Sequence, residues 1–121
     1  MHYNPLDSFY EAEKCLADFM QTDGLVESFD LSIQILIRAF TKRRPVLSCG
    51  NGGSTCDAMH FAEEFTGRYR KDRAALPAMA IADPSHLTCV SNDYGFKHVF
   101  SRTVDAFGQE DGALLAISTS G

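Results

Sequence analysis

The sequence predicts an α/β fold with a parallel sheet, and two patterns carry the prediction. Three short apolar segments, 46–49, 78–82 and 113–117, alternate with stretches of helical periodicity. This alternation is typical of βαβ units, whose strands run parallel. Small polar residues follow the first and third segments, at 50–54 and 118–121. Because ligands bind at the carboxyl ends of parallel strands, we expect the binding region at this edge of the sheet.

Composition and charge exclude several classes of partner. The chain has 121 residues, 45% hydrophobic and 22% charged, as in an ordinary globular domain. A net charge of −5 argues against nucleic acid as a partner, and the basic run 68–73 is expected to be a solvated loop. No apolar run approaches the ~20 residues of a membrane helix, so no membrane partner is expected. Four cysteines without CxxC spacing or a secretory leader indicate reduced thiols and a cytoplasmic protein.

Two amphipathic helices are predicted before the first strand. Asn4-Pro5 is a good helix start, and apolar residues then recur at helical spacing as far as Met20. A second helix is expected over 26–41, with its apolar stripe (Phe29, Ile33, Leu36, Ile37 and Phe40) facing inward. Two such helices are more than is needed to cover one face of a small sheet, so we expect them to pack partly against another subunit. The predicted organisation is a helical pair over 1–44 followed by a βαβαβ region over 45–121.

The remaining elements follow from turn and cap signals. After the glycine turn, a helix is expected to open on Ser54 and to end near Gly67, which would adopt the left-handed cap conformation. A turn at 83–85 leads into a short helix, a loop over 91–95 and a further helix over 96–107.

The glycine turn is a candidate anion site. Three glycines within four positions (Gly50, Gly52 and Gly53) let the backbone approach a ligand, and Ser54 at a helix start is expected to offer a hydroxyl and free N–H groups to an anion. The turn lacks the Gly-Lys-Ser/Thr of a Walker A loop, and Thr55 occupies the sixth place of a GxGxxG pattern. A phosphate site is favoured, and a plain tight strand-to-helix connection is the alternative.

His60 and Glu64 form the candidate chemical pair. At four residues apart they share one helix face, and at 1.5 Å per residue they lie ~10 Å from the glycine turn, about the length of a sugar phosphate. A surface hydrogen-bonded pair is one alternative, and a zinc site is another, for which two ligands are too few. Glu63 is expected to be solvated. We expect one cavity to join the pair to the serine-containing turns.

Five segments together resemble the phosphoheptose isomerase branch of the SIS (sugar isomerase) domain family. They are 47–54, 57–64, 66–69, 91–93 and 117–121. The glycine and serine motifs are shared across SIS proteins, whereas the combination of HFAEE, TGRY and SND is more specific.

The resemblance implies a fold, an assembly and a reaction. The fold is a three-layer αβα sandwich of the flavodoxin-like type with the N-terminal helices leading, and its C-terminal part is missing from these 121 residues. The assembly is a cytoplasmic homotetramer with active sites between subunits. The reaction converts sedoheptulose 7-phosphate to D-glycero-D-manno-heptose 7-phosphate through a cis-enediol, in ADP-heptose synthesis for the lipopolysaccharide core.

The resemblance also implies roles for individual positions. The residues that would contact the sugar phosphate are Asn51, Gly52, Gly53, Ser54, Glu64, Arg68, Asn92, Asp93, Ser118, Thr119 and Ser120. The last three, with Ser54 nearby, would hold the phosphate. His60 and Glu64 would bind one zinc per subunit, and Glu64 would also be the catalytic base. The family completes the site with a Gln and a His, both beyond Gly121, so the chain alone is expected to be inactive.

A second function class stays open at this point. Some SIS proteins are non-catalytic and serve as sugar-phosphate-binding or protein-interaction platforms, as in the replication-initiator-associating type. These proteins resemble the chain in the glycine and serine loops but lack the His/Glu pair. The presence of both His60 and Glu64 favours the isomerase.

Overall fold

The computed structural model describes residues 4–121 as five α-helices, one 3₁₀ turn and three strands. In chain order these are α1 (Asp7–Met20), α2 (Leu25–Thr41), β1 (Val46–Gly50), α3 (Gly53–Thr66), β2 (Ala78–Ala80), α4 (Pro84–Tyr94), the 3₁₀ turn (Phe96–His98), α5 (Val99–Phe107) and β3 (Ala113–Ile117). In this described part, none of the helices combines the length and the apolar character that crossing a membrane requires.

The three strands form one parallel sheet in the order β2-β1-β3, which confirms the predicted fold class. The central strand β1 is buried along its whole length, which explains why the segment has no charged residue. Its first residue, Val46, is aligned with Ala78 on one side and Ala113 on the other. At the opposite end Gly50 is paired with Ile117, so β1 and β3 end side by side.

Helix α3 covers one face of this sheet through small residues. Ala58 and Ala62 are buried on the helix, and their short side chains allow close approach to the strands. On β1 the hydroxyl of Ser48 donates a 2.7 Å hydrogen bond to the backbone oxygen of Ala58. This bond satisfies a polar side chain that is completely buried in the middle of the sheet.

Helix α5 forms a third layer over the opposite face. Leu47 and Met79 point away from α3 because side chains alternate along a strand, and they line a cavity with Ala106 and Phe107 of α5. Helices α4 and α5 are tied together by His86, whose Nε2 donates to the backbone oxygen of Val99 at 2.9 Å.

The chain divides into two compact units, one ending at Gln34 and the other spanning Ile35–Gly121. In the first unit, Phe19 and Phe29 meet edge to face with ring centroids 6.3 Å apart. Most of its other large apolar side chains are exposed, with Phe9 at 71%. The expectation that Phe29, Ile33 and Ile37 face inward is wrong for this chain, where all three are exposed. A pair of helices by itself buries only the seam between them, which leaves the wider apolar stripes uncovered.

Several boundaries differ from the predictions. Helix α4 continues to Tyr94, so the expected loop is helical; no glycine or proline interrupts the helix before Gly95, whose φ of +90° ends it. Gly95 also separates the 3₁₀ turn from α4, and α5 begins only at Val99. Gly67 has a φ of −84°, so the predicted left-handed cap is wrong. Strand β2 ends at Ala80 rather than at residue 82.

Candidate functional site

Two exposed loops lie next to each other at the carboxyl edge of the sheet. Because Gly50 is paired with Ile117, the residues that follow them, 51–53 and 118–121, emerge from adjacent parallel strands. Asn51, Gly52 and Gly53 are all exposed, as are residues 118–121. The arrangement leaves hydroxyl, amide and backbone groups of both loops open to a ligand.

The first loop depends on two of its glycines. A Cβ at Gly50 would lie 2.6 Å from the backbone oxygen of Ser54, closer than side chains are found to approach. Gly52 has a φ of +56°, which glycine adopts without strain. The hydroxyl of Thr55 donates to the backbone oxygen of Gly50 at 2.5 Å and holds the turn against the helix start.

The serines of the two loops differ in accessibility. Ser54 is buried, and its N–H already donates to the backbone oxygen of Asn51 at 3.1 Å. Its amide is therefore engaged in the turn, contrary to the expectation of free N–H groups there. Ser118 is exposed, and its Oγ accepts a 3.0 Å hydrogen bond from the N–H of Gly121. Thr119 and Ser120, which lie between Ser118 and Gly121, are also exposed.

His60 and Glu64 are brought together as their spacing predicted. Nε2 of His60 lies 3.2 Å from Oε1 of Glu64, with the His60 side chain 71% and the Glu64 side chain 32% exposed. Glu63, expected to be only solvated, is also exposed, but its Oε1 lies 3.6 Å from the same nitrogen. One ligand atom from each of the three residues lies within 4.8 Å of the other two. The three-residue spacing of His60 and Glu63 was the sequence signal for this second carboxylate.

A cavity of about 490 Å³ lies against this pair. It is lined by His60, Phe61, Glu64, Phe65, Tyr69 and Arg73. Neither 50–54 nor 118–121 contributes to its lining, so the expectation of one cavity shared with the serine turns is wrong within this chain. The reason is helical phase: α3 turns Ser54, Ala58 and Ala62 toward the sheet, and the His60/Glu64 face lies about two fifths of a turn away.

The other predicted site residues lie outside this cavity. Arg68 follows the end of α3 and is exposed. Asn92 and Asp93 are exposed in the last turn of α4, where the Asn92 side-chain amide donates to Asp93 Oδ1 at 2.9 Å. The thiol of Cys89 donates to the other Asp93 oxygen at 3.4 Å, and this hydrogen bond to a carboxylate raises the pKa of Cys89.

Arg73 was expected to lie in a solvated loop, but the structure places it at the site. Its guanidinium donates to the backbone oxygens of Glu64 and Phe65, at 2.5 and 2.8 Å. No sequence motif marked it, because a contact between a loop arginine and helix carbonyls eight and nine residues earlier has no fixed spacing.

The fold and this arrangement together define the class of protein. The SIS domain pattern matches residues 9–121 of the chain. The chain therefore belongs to the SIS domain family.

Within that family the chain is similar to phosphoheptose isomerases. It is 52% identical over 118 residues to the phosphoheptose isomerase of Fusobacterium nucleatum, covering 98% of this chain and 61% of the relative. It is 55% identical over 111 residues to the enzyme of Pectobacterium atrosepticum, covering 92% and 58%. The chain thus spans about three fifths of the length of these relatives.

The chain is also similar to solved structures of phosphoheptose isomerases. Phosphoheptose isomerase GmhA from Neisseria gonorrhoeae aligns with a TM-score of 0.82 at 38% identity, covering 93% of this chain and 58% of that one. A phosphoheptose isomerase from Francisella tularensis aligns with a TM-score of 0.82 at 31% identity, covering 97% and 63%.

Proposed function

We propose that this chain forms part of a sugar-phosphate isomerase that converts sedoheptulose 7-phosphate to D-glycero-D-manno-heptose 7-phosphate, in the formation of ADP-heptose for lipopolysaccharide. The observation that carries the proposal is the His60/Glu64 pair at 3.2 Å on α3, in a chain more than half identical to proteins named phosphoheptose isomerase. A ketose–aldose isomerase needs a carboxylate that moves a proton between adjacent carbons, and Glu64 is the candidate.

The proposed reaction proceeds through a cis-enediol. The Glu64 carboxylate takes the proton from C1 of the ketose, and the electron pair of the broken C–H bond forms the C1–C2 double bond as the C2 carbonyl oxygen gains a proton. Return of the proton to C2, with loss of the O1 proton, gives the aldose. The partly exposed position of Glu64 beside a cavity is compatible with access to substrate.

The two loops at the sheet edge are proposed to hold the phosphate end. Ser118, Thr119 and Ser120 present exposed hydroxyls, and Asn51, Gly52 and Gly53 present an adjacent exposed backbone. Anchoring a remote phosphate fixes which carbons face the base, and so converts binding energy into orientation. Asn92, Asp93 and Arg68 are proposed to contact the sugar, on the basis of the family resemblance.

Zinc is the proposed cofactor, with His60 and Glu64 as its ligands in this chain. Ligand atoms of a tetrahedral zinc at bond lengths of 2.0–2.1 Å lie about 3.3 Å apart, and the His60 to Glu64 separation is 3.2 Å. An imidazole and a carboxylate are also ordinary zinc ligands. When bound, zinc would polarise the substrate oxygens next to the carbons that exchange the proton.

The proposed assembly is a cytoplasmic homotetramer with active sites between subunits. The exposed apolar stripes of α1 and α2 support an assembly, because large apolar patches on soluble proteins mark interaction sites. An adjoining subunit would also account for a cavity that lacks the phosphate loops of its own chain. The four cysteines are free thiols, as expected in a reducing compartment.

A direct assay tests the proposal against the non-catalytic alternative. The chain, extended after Gly121 with the remaining C-terminal region of the F. nucleatum relative, is incubated with sedoheptulose 7-phosphate, with and without added zinc. We expect formation of the aldose phosphate. An extended chain that is folded and binds the sugar phosphate but gives no product under either condition would favour the platform function.

A further inference from the structure

The end of helix α3 is closed by a side chain from the loop that follows it. An α-helix leaves its last four carbonyls without intrahelical partners. In α3, the Glu63 oxygen accepts from the N–H of Gly67 at 2.7 Å, and the Phe65 oxygen accepts from the N–H of Leu76 at 2.9 Å. The backbone oxygen of Glu64 lies between these two bonds.

Arg73 supplies the partner for that oxygen. Its Nη2 donates to the Glu64 oxygen at 2.5 Å, and its Nη1 donates to the Phe65 oxygen at 2.8 Å and to the Ala74 oxygen at 3.0 Å. Within residues 4–121, Arg73 is the only residue that donates a hydrogen bond to the Glu64 carbonyl. Arginine is suited to this task because its planar, permanently charged fork can bond two neighbouring oxygens at once.

The same guanidinium lies at the cavity of the His60/Glu64 pair. Arg73 lines this cavity together with both members of the pair, and its Cζ lies 6.0 Å from the centroid of the Phe65 ring. The hydrogen bond from Arg73 to the Glu64 carbonyl holds the backbone of Glu64 at this cavity. His60 lies about one turn earlier on the same helix, α3.

We propose that Arg73 is a positioning residue: it clamps the last turn of α3 so that the Glu64 carboxylate is held against His60. The inference rests on the proposed function for its catalytic consequence. Without the clamp the Glu64 carbonyl turns to solvent, the last helical turn frays, and the carboxylate samples orientations away from the imidazole. Groups that orient metal ligands through hydrogen bonds change metal affinity or activity by about 10- to 100-fold when they are removed, and we expect an effect of this size for Arg73.

The first measurement uses the 121-residue chain and needs no substrate. The ¹⁵N chemical shifts of the His60 ring are recorded at one fixed pH in the unsubstituted chain, Glu64→Gln, Arg73→Met and Lys71→Met. We expect Arg73→Met to move the His60 signals toward those of Glu64→Gln. Lys71→Met, which removes a charge from an exposed position of the same loop, should leave them unchanged. A folded Arg73→Met chain with unshifted His60 signals would overturn the proposal.

The second measurement uses the chain extended with the relative's C-terminal region. Arg73→Met should lower kcat by 10- to 100-fold while KM changes less than threefold, counted per folded site. Arg73→Lys keeps the charge but can reach only one oxygen, so it should give a kcat between those of the unsubstituted protein and Arg73→Met. If Arg73→Met does not fold, the kcat of Arg73→Lys is the test. A kcat within threefold of the unsubstituted protein for the folded variants contradicts the proposal. If the unsubstituted extended chain has no isomerase activity, the proposed function fails, and the His60 shifts alone decide the role of Arg73.

Discussion

At the scale of single residues, Gly50 and Gly53 of the same turn differ in whether the fold requires a glycine. Gly50 lies where a Cβ would meet the backbone of Ser54, whereas nothing lies within 4 Å of a Cβ built on Gly53. Gly53 also begins α3, where alanine is a better helix former than glycine by up to ~1 kcal/mol. The loop therefore contains one position where packing requires glycine and one where the fold itself leaves room for a side chain.

This contrast gives a stability prediction for the turn. Gly50→Ala should lower the free energy of unfolding by about 1–3 kcal/mol, because the backbone of Ser54 has to move to admit the methyl group. Gly53→Ala is the matched control and should leave stability equal or slightly higher. Chemical denaturation of both variants checks this. Equal destabilisation of the two variants would contradict the assigned close contact.

The residue types of the candidate site were predictable, but their surroundings were not. A four-residue spacing is enough to place His60 and Glu64 side by side on a helix, and the structure has them at 3.2 Å. The contact of Arg73 with the end of α3 depends on how the loop 67–77 folds back, which local sequence does not specify. Ser54 was expected to face a ligand, yet helical phase turns it into the buried face.

At the scale of elements, an acidic turn residue fastens the end of α2 to the start of β3. Asp111 precedes β3, accepts a hydrogen bond from Lys42 and forms an ion pair with Arg38. Its own side chain is only 16% exposed. The hydrogen bond from Lys42, followed by the charge of Arg38, lowers the pKa of Asp111. Its backbone φ is +64°, a conformation that Asp and Asn tolerate better than most residues.

The lowered pKa predicts how this contact depends on pH. Because the folded pKa lies below the unfolded value of about 3.9, the contribution is complete above that pH and is lost as the pH falls through the folded pKa. Asp111→Asn keeps the backbone preference, so it should reduce stability at pH 7, and its effect should shrink as the pH falls below about 3.9 and through the folded pKa of Asp111. Thermal unfolding of both proteins across this range measures the difference.

The exposed Asp105 on α5 provides the control for this series. Within residues 4–121 the structure gives it no ion pair, so Asp105→Asn should change stability little at any pH. A destabilisation by Asp111→Asn that persists unchanged at pH 3 would show that the carboxylate charge is not responsible.

Elements whose ends carry strong signals were predicted well, and those without them were not. The predicted ends of β3 and of α2 agree with the structure to within one residue. The segment 91–95 was expected to be a loop because of its Ser, Asn and Asp residues, but these residues have only a weak preference against helix. Gly95, with its positive φ, is the true boundary. Strand β2 is short because it pairs with β1 only over Ala78–Ala80, and the apolar residues that follow it do not continue the pairing.

At the scale of the whole molecule, the parallel sheet was predictable from the alternation of strands and helices, whereas the surface of the helical pair was not. The periodicity of α1 and α2 identifies apolar stripes but does not state what covers them. In the chain itself Phe9, Phe29 and Ile33 remain exposed. This exposure is the main physical support for an assembly of several copies.

Self-association is therefore expected to depend on these stripes. Phe29→Asp combined with Ile33→Asp should lower the assembly size measured by analytical ultracentrifugation, because charges would be introduced into a buried apolar interface. Phe107→Asp, which alters an exposed aromatic residue at the end of α5, is a control of similar chemistry. An unchanged assembly in the Phe29/Ile33 variant, together with retained helicity, would place the interface elsewhere.

We propose that the Glu64 carboxylate, held beside His60, moves the proton of the isomerisation. The most direct test compares turnover of Glu64→Gln and Glu63→Gln in the chain extended with the relative's C-terminal region. We expect a loss of at least ~10²-fold in kcat for Glu64→Gln, with sugar-phosphate binding retained. Glu63→Gln, altered at the neighbouring carboxylate 3.6 Å from the same imidazole, should lose far less. Turnover of Glu64→Gln equal to that of the unsubstituted protein would rule out Glu64 as the base.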